Sequence, residues 1–133
     1  FIFKECRKMT YKQIDRVVAV GYCMAEGRNY DEVGEEFGLK GSVVKRLINE
    51  QLQYAKPKLY ALVKNKPYMA LQRVIHKNIT VDEACKFFRV PREKFDDYLK
   101  SIFKEDKAKY IAYKTKIYNV EQNKKCKDQV ARK

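Results

Sequence analysis

Residues 30–49 read YDEVGEEFGLKGSVVKRLIN, and their spacing decides the fold. A helix-turn-helix of the DNA-binding kind imposes a steric pattern over about twenty residues. Its two helices cross closely, so the fifth position must be small. The tight turn needs a left-handed residue at the ninth, which glycine adopts without penalty. The fourth, eighth, tenth, fifteenth and eighteenth positions must be apolar to join the helices. Counted from Tyr30, these slots hold Val33, Gly34, Phe37, Gly38, Leu39, Val44 and Leu47, and every one is suitably filled. The competing reading is an ordinary helical hairpin.

Lys40, Gly41, Ser42, Lys45, Arg46 and Asn49 take the outward positions of the second helix. Arg can form paired hydrogen bonds with guanine and Asn with adenine, while Ser and Lys take phosphate or base edges. That face carries no acid before Glu50. Asp31, Glu32, Glu35 and Glu36 make the first helix acidic, with the early acids at the favourable end of its dipole. The carboxylates of the Glu32/Glu35/Glu36 face are expected to be solvated.

The run from Val20 to Lys64 contains the Glu36-Phe37-Gly38 turn, Val44, the Glu50/Leu52 pair, and Pro57 with Leu59 and Val63. In these features it resembles the stage III sporulation protein D family of bacterial transcription regulators. The resemblance implies a helix-turn-helix reader whose second helix enters the major groove.

Outward from this motif, apolar residues recur three and four apart along most of the chain, so an all-α fold is expected. A helix after Thr10, a usable N-cap, carries Ile14, Val17, Val18 and the Tyr22/Ala25 pair on one face and stops at Gly27. The recognition helix is expected over about Gly41 to Leu52. Pro57 opens a further helix with Leu59, Leu62 and Val63 inward, and Pro67 another through Met69, Leu71 and Ile75. The pattern breaks at Asn78 to Thr80, which sets the expected organisation: a helix-turn-helix module over 1–78, a second module over 79–103, and a basic Lys/Tyr-rich helix and tail over 104–133.

The second module fits the same template in degenerate form. Ala84, Phe88, Val90, Phe95 and Tyr98 fill the apolar slots, and Cys85 the small one. Arg89 stands at the turn, where a left-handed conformation costs a non-glycine residue about 1 kcal/mol. Asp96 and Asp97 fall where DNA-facing residues belong, leaving Arg92, Lys94 and Lys100 as its candidate DNA contacts. A packing or dimerisation unit is the alternative. In the tail, Tyr110, Tyr113, Ile117 and Val120 share a helical face suited to packing on the body, and disorder is expected beyond Gln122. A phosphate-tracking arm and aromatic stacking on single-stranded bases are the functional alternatives for it.

Lys and Arg number 30 against 17 Asp and Glu, a formal charge of +13. Such an excess draws polyanions, of which nucleic acid is the commonest. No apolar run approaches a membrane span, and Phe1-Ile2-Phe3 is too short for a signal-peptide core. A chain opening on Phe1 is expected to be a fragment or a processed form. Cys6, Cys23, Cys85 and Cys126 are scattered and His76 stands alone, so reduced thiols are expected and neither metal nor cofactor is. Ser42 and Ser101 lie in no nucleophile elbow, and no glycine-rich phosphate loop occurs. His76 reads as a surface residue, and adjacent Asp96 and Asp97 make a poor acid–base pair.

The residues thus point to a cytoplasmic, nucleoid-associated protein that is not an enzyme and regulates transcription through sequence-specific binding to double-stranded DNA. The partner expectation excludes membrane and leaves open a homodimer or a contact with RNA polymerase. The alternatives are a DNA-binding part of a replication, partition or recombination machine, and an RNA-binding or protein-interaction module.

Overall fold

A computed structural model describes the backbone of residues 11–131 and the side chains of residues 14–126. Thr10, Cys6 and the Phe1–Phe3 run lie outside the described residues. Among those described, the fold is all-α, with helices and turns and no strand. The helices divide between two units, residues 1–65 and 66–133.

In the first unit, α1 spans Tyr11–Met24, α2 Tyr30–Phe37 and α3 Gly41–Leu47. A π-helical turn over Ile48–Leu52 follows, then the single turn α4 (Gln53–Ala55) and α5 (Pro57–Lys64). Asn29 starts α2 with a capping box: its side chain accepts from the Glu32 N–H, and the Glu32 carboxylate accepts from the Asn29 N–H at 3.0 Å. Two of the orphan donors of the first turn are thereby satisfied. Gly38 ends α2 at φ 67°, ψ 34°. Proline at the first position of α5 loses no bond, since that N–H has no helical partner.

The core of this unit is Val17, Val20 and Met24 of α1 with Val33, Val44, Ile48, Leu52, Leu59 and Val63. The buried face of α1 therefore differs from the expected one. Tyr22 is exposed, and Ile14, Val18 and Ala25 are only partly covered, because α1 packs on the π-turn along the Val17/Val20/Met24 line. Leu62, expected inward, is exposed, whereas Leu59 and Val63 are buried. The helix expected over Gly41 to Leu52 is α-helical only to Leu47. Its last turn widens to the π form, where Ile48 and Leu52 are both almost wholly buried.

The second unit comprises α6 (Lys66–Lys77), α7 (Val81–Phe88), α8 (Arg92–Glu105) and α9 (Lys107–Ala131). Its core joins Ala70, Leu71 and Val74 of α6, Val81, Ala84 and Cys85 of α7, Phe95, Leu99 and Ile102 of α8, and Ile117 and Val120 of α9. Tyr110 and Tyr113 pack against this cluster, on the face expected of them. The organisation differs from the expected one in two places. The division falls at Asn65/Lys66 rather than at residue 78, because the apolar face of α6 completes the core of α7 and α8. The chain beyond Gln122 is helical as far as Ala131, and Lys124 forms an ion pair with Glu83 of α7 that ties this stretch to the unit.

The two units repeat one local design 51 residues apart, visible in Asn29 and Thr80, Gly38 and Arg89. Thr80 caps α7 as Asn29 caps α2, with a glutamate three residues on in each case. Arg89 is left-handed at φ 56°, ψ 46°, as Gly38 is. The Leu39 N–H donates to the Gly34 carbonyl at 2.8 Å, and the Val90 N–H to the Cys85 carbonyl at 2.8 Å. This is the bond that closes a helix at a left-handed residue.

Candidate nucleic-acid interface

The approach of α2 to α3 sets the geometry of the basic face. A β-carbon on Gly34 would stand 2.3 Å from the Leu39 carbonyl oxygen, so a larger residue here would force this turn to open. With Val33 and Val44 fully buried between the helices and Val43 and Leu47 partly covered, Ser42, Lys45 and Arg46 are the α3 residues turned outward.

Of the six residues expected on that face, Lys40, Ser42, Lys45 and Arg46 are exposed, within two turns of chain. Gly41 is not open: it is partly covered, and the Asp31 carboxylate fills the space beside it, 1.9 Å from where a β-carbon would stand. Asn49 is also partly covered. Its Oδ1 is enclosed without a hydrogen-bond partner, and its backbone carbonyl accepts from Gln53 Nε2 at 2.7 Å. No residue of the sequence announces the π-turn at Ile48–Leu52, which contains Asn49.

Acids near this face are partly engaged rather than simply solvated. Glu32 belongs to the capping box, and Glu36 pairs with Arg28 and accepts from the Cys23 thiol at 3.5 Å. Burial, and then the charge of Glu36, push the Cys23 thiol above its ordinary range. Glu35 remains exposed. Sequence reading missed one further cation of this unit. Lys56 lies 4.7 Å over the ring of Tyr22 and donates to its hydroxyl, across 34 residues of chain.

In the second unit the corresponding face has a different character. Asp96 and Asp97 stand at the positions that Lys45 and Arg46 hold in the first, 51 residues away. Lys94 and Lys100 are exposed. Arg92 is held by two carboxylates, Asp82 at 2.7 Å and Asp96 at 3.3 Å. Asp82 is the counterpart of Asp31, so the aspartate that lies over Gly41 in one unit clasps Arg92 in the other. Arg73 lies 3.6 Å over the Phe87 ring, a stack with no sequence-level signal.

His76 is exposed. Among the described residues, no group of three or more His, Cys, Asp or Glu could hold a metal ion, and no helix is long and apolar enough to cross a membrane. No family model, curated protein or solved structure matches the chain.

Proposed function

We propose that the chain binds duplex DNA with α2 and α3 as a helix-turn-helix, α3 reading the major groove, and that it regulates transcription as the resemblance to the sporulation regulators implies. The observation that carries this reading is the close turn at Gly34, Gly38 and Leu39, which leaves Ser42, Lys45 and Arg46 exposed together on one helix, with Lys40 exposed just before its first turn. A face of that composition offers both phosphate contacts and a bidentate donor for guanine. The formal charge of +13 supplies long-range attraction to a polyanion.

The second unit repeats the local design but carries carboxylates at the equivalent of Lys45 and Arg46, so it contributes at most phosphate contacts through Lys94 and Lys100. Nothing in the site assembles a nucleophile with a base, and the reading is of a binding protein rather than an enzyme.

Selection of bound sequences from a random duplex pool, followed by salt titration on the enriched site, tests this reading. Enrichment of a defined motif, with affinity falling steeply with salt, supports it. Equal affinity for the enriched and random duplexes, or preference for RNA, rejects it.

A further inference from the structure

The outward side of α9 does not fit its surroundings. Ile111 and Tyr118 are 53% and 62% exposed, and Phe103, at the adjoining end of α8, is 45% exposed. Large apolar groups in water that share one helix face mark an interaction surface more often than isolated ones do. Ile111, Thr115 and Tyr118 are spaced i, i+4 and i+7, the spacing of one ridge on a helix. Together with Tyr110 and Lys114 they line a shallow open hollow of about 380 Å³. Phe103 meets Tyr110, one of the lining residues, edge to face at 5.0 Å, and the Lys107 ammonium lies 5.9 Å from its ring.

We propose that this ridge is a docking surface for an acidic amphipathic helix of a partner protein. Three observations choose that occupant, and none depends on the duplex-binding reading. The opposite face of α9 is committed to the core through Ile117 and Val120, so only a narrow stripe is free. A stripe suits the ridge of one partner helix, whereas embedding in a bilayer needs a broad apolar face. The ridge includes an exposed aliphatic side chain, Ile111, which suits insertion of apolar side chains better than the stacking of bases. Charge decides against a second copy. Residues 66–133 hold eighteen Lys and Arg against nine Asp and Glu, and the ridge from Lys107 to Tyr118 carries cations and no acid. Two such ridges repel, while a helix with apolar residues on one side and Asp or Glu flanking them is complementary.

The test uses the full chain and a labelled synthetic helical peptide with Leu at i, i+3, i+4 and i+7 and Glu elsewhere, followed by fluorescence anisotropy. Binding is expected to weaken at least about tenfold in Ile111→Ser and in Lys114→Glu. A peptide of the same composition with its Leu residues scattered around the helix is expected to bind at least as much more weakly. Equal binding of the two peptides reduces the effect to charge alone and overturns the proposal. So does undiminished binding to Ile111→Ser. An oligo-dT strand or phosphatidylserine vesicles that bind in an Ile111-dependent way while the peptide does not would also overturn it, assigning the ridge to single strands or to a membrane. Both variants are exposed, and circular dichroism confirms their folding. Duplex binding is measured on the same samples and is expected to be unchanged in Ile111→Ser, so failure here is distinguishable from failure of the duplex reading.

Discussion

Arg92 Nη1 lies 2.7 Å from Asp82 Oδ1, joining the start of α8 to the start of α7. Its Nε also meets Asp96 at 3.3 Å. A guanidinium shared between two carboxylates is poorly placed to serve a phosphate as well. Each phosphate contact adds about 0.9 to the slope of log affinity against log salt. Arg92→Gln is therefore expected to leave that slope unchanged on duplex DNA, and Lys45→Gln to reduce it by about that amount. The pairs are exposed, so the stability lost with Arg92→Gln should stay below about 1 kcal/mol. A full reduction of slope with Arg92→Gln would show that Arg92 contacts phosphate after all.

Gly34 and Gly38 differ in what they require. Gly38 has open space where a β-carbon would go, but its φ of 67° penalises ordinary side chains. Gly38→Asn should be nearly neutral and Gly38→Val should cost about 1–2 kcal/mol, since Asn tolerates this region and a β-branched residue does not. At Gly34 the obstacle is the Leu39 carbonyl, so even Gly34→Ala should cost about 1–3 kcal/mol, as overpacking does. Denaturant midpoints of the three variants check the order, and a neutral Gly34→Ala would show that the turn has room to open.

Arg46 and Asn49, alike on a helical wheel, should behave differently. Arg46→Ala is expected to cost about 1–3 kcal/mol on the preferred site and to relax selectivity at one base pair. Asn49→Ala is expected to change site preference little, since its Oδ1 is enclosed away from solvent. Comparing each variant on specific and random duplexes decides this. A loss of selectivity with Asn49→Ala equal to that of Arg46→Ala would mean that the π-turn rearranges on binding.

The position of the division also has a consequence. A fragment ending at Asn65 retains the whole core of the first unit and should fold and show cooperative unfolding. A fragment ending at Asn78 carries α6 without α7 to α9, exposing Ala70, Leu71 and Val74. It should expose more apolar surface, bind a hydrophobic dye and self-associate. Light scattering and dye fluorescence distinguish the two, and equal behaviour would detach α6 from the second core.

Tyr98 gives the second unit a dependence on alkaline pH. Burial first, and the neighbouring phenols of Tyr113 and Tyr68 next, push its hydroxyl up to about 12 from an ordinary value of 10.0. The folded state thus keeps a proton that the unfolded chain releases, and stability falls as pH rises from about 10 to about 12. Tyr98→Phe should flatten that part of the fall. Unfolding midpoints at about pH 9 and about pH 11 for both proteins measure it, and parallel losses would exclude Tyr98 as the cause.

Much of the local structure was legible in the residues because it arises from contacts a few positions apart. The helix ends at Gly27, Gly38 and Thr80, the proline that opens α5 and the small residue at Gly34 follow from backbone sterics and capping. Those constraints act within about one turn of chain. The all-α class follows from a spacing repeated along the chain, and the outward placement of Lys40, Ser42, Lys45 and Arg46 from the helical period. Other features depended on which distant surfaces met. The buried line of α1 was chosen by its packing on the π-turn, and that turn by the joint burial of Ile48 and Leu52. Leu62 and Leu59 are equally apolar, yet only Leu59 found a partner surface. The place of α6 in the second unit and the ion pairs Arg92–Asp82 and Lys124–Glu83 join residues 10 and 41 positions apart. A sequence period states which side of a helix is apolar; only the packed partner determines which of the adjacent lines on that side is buried.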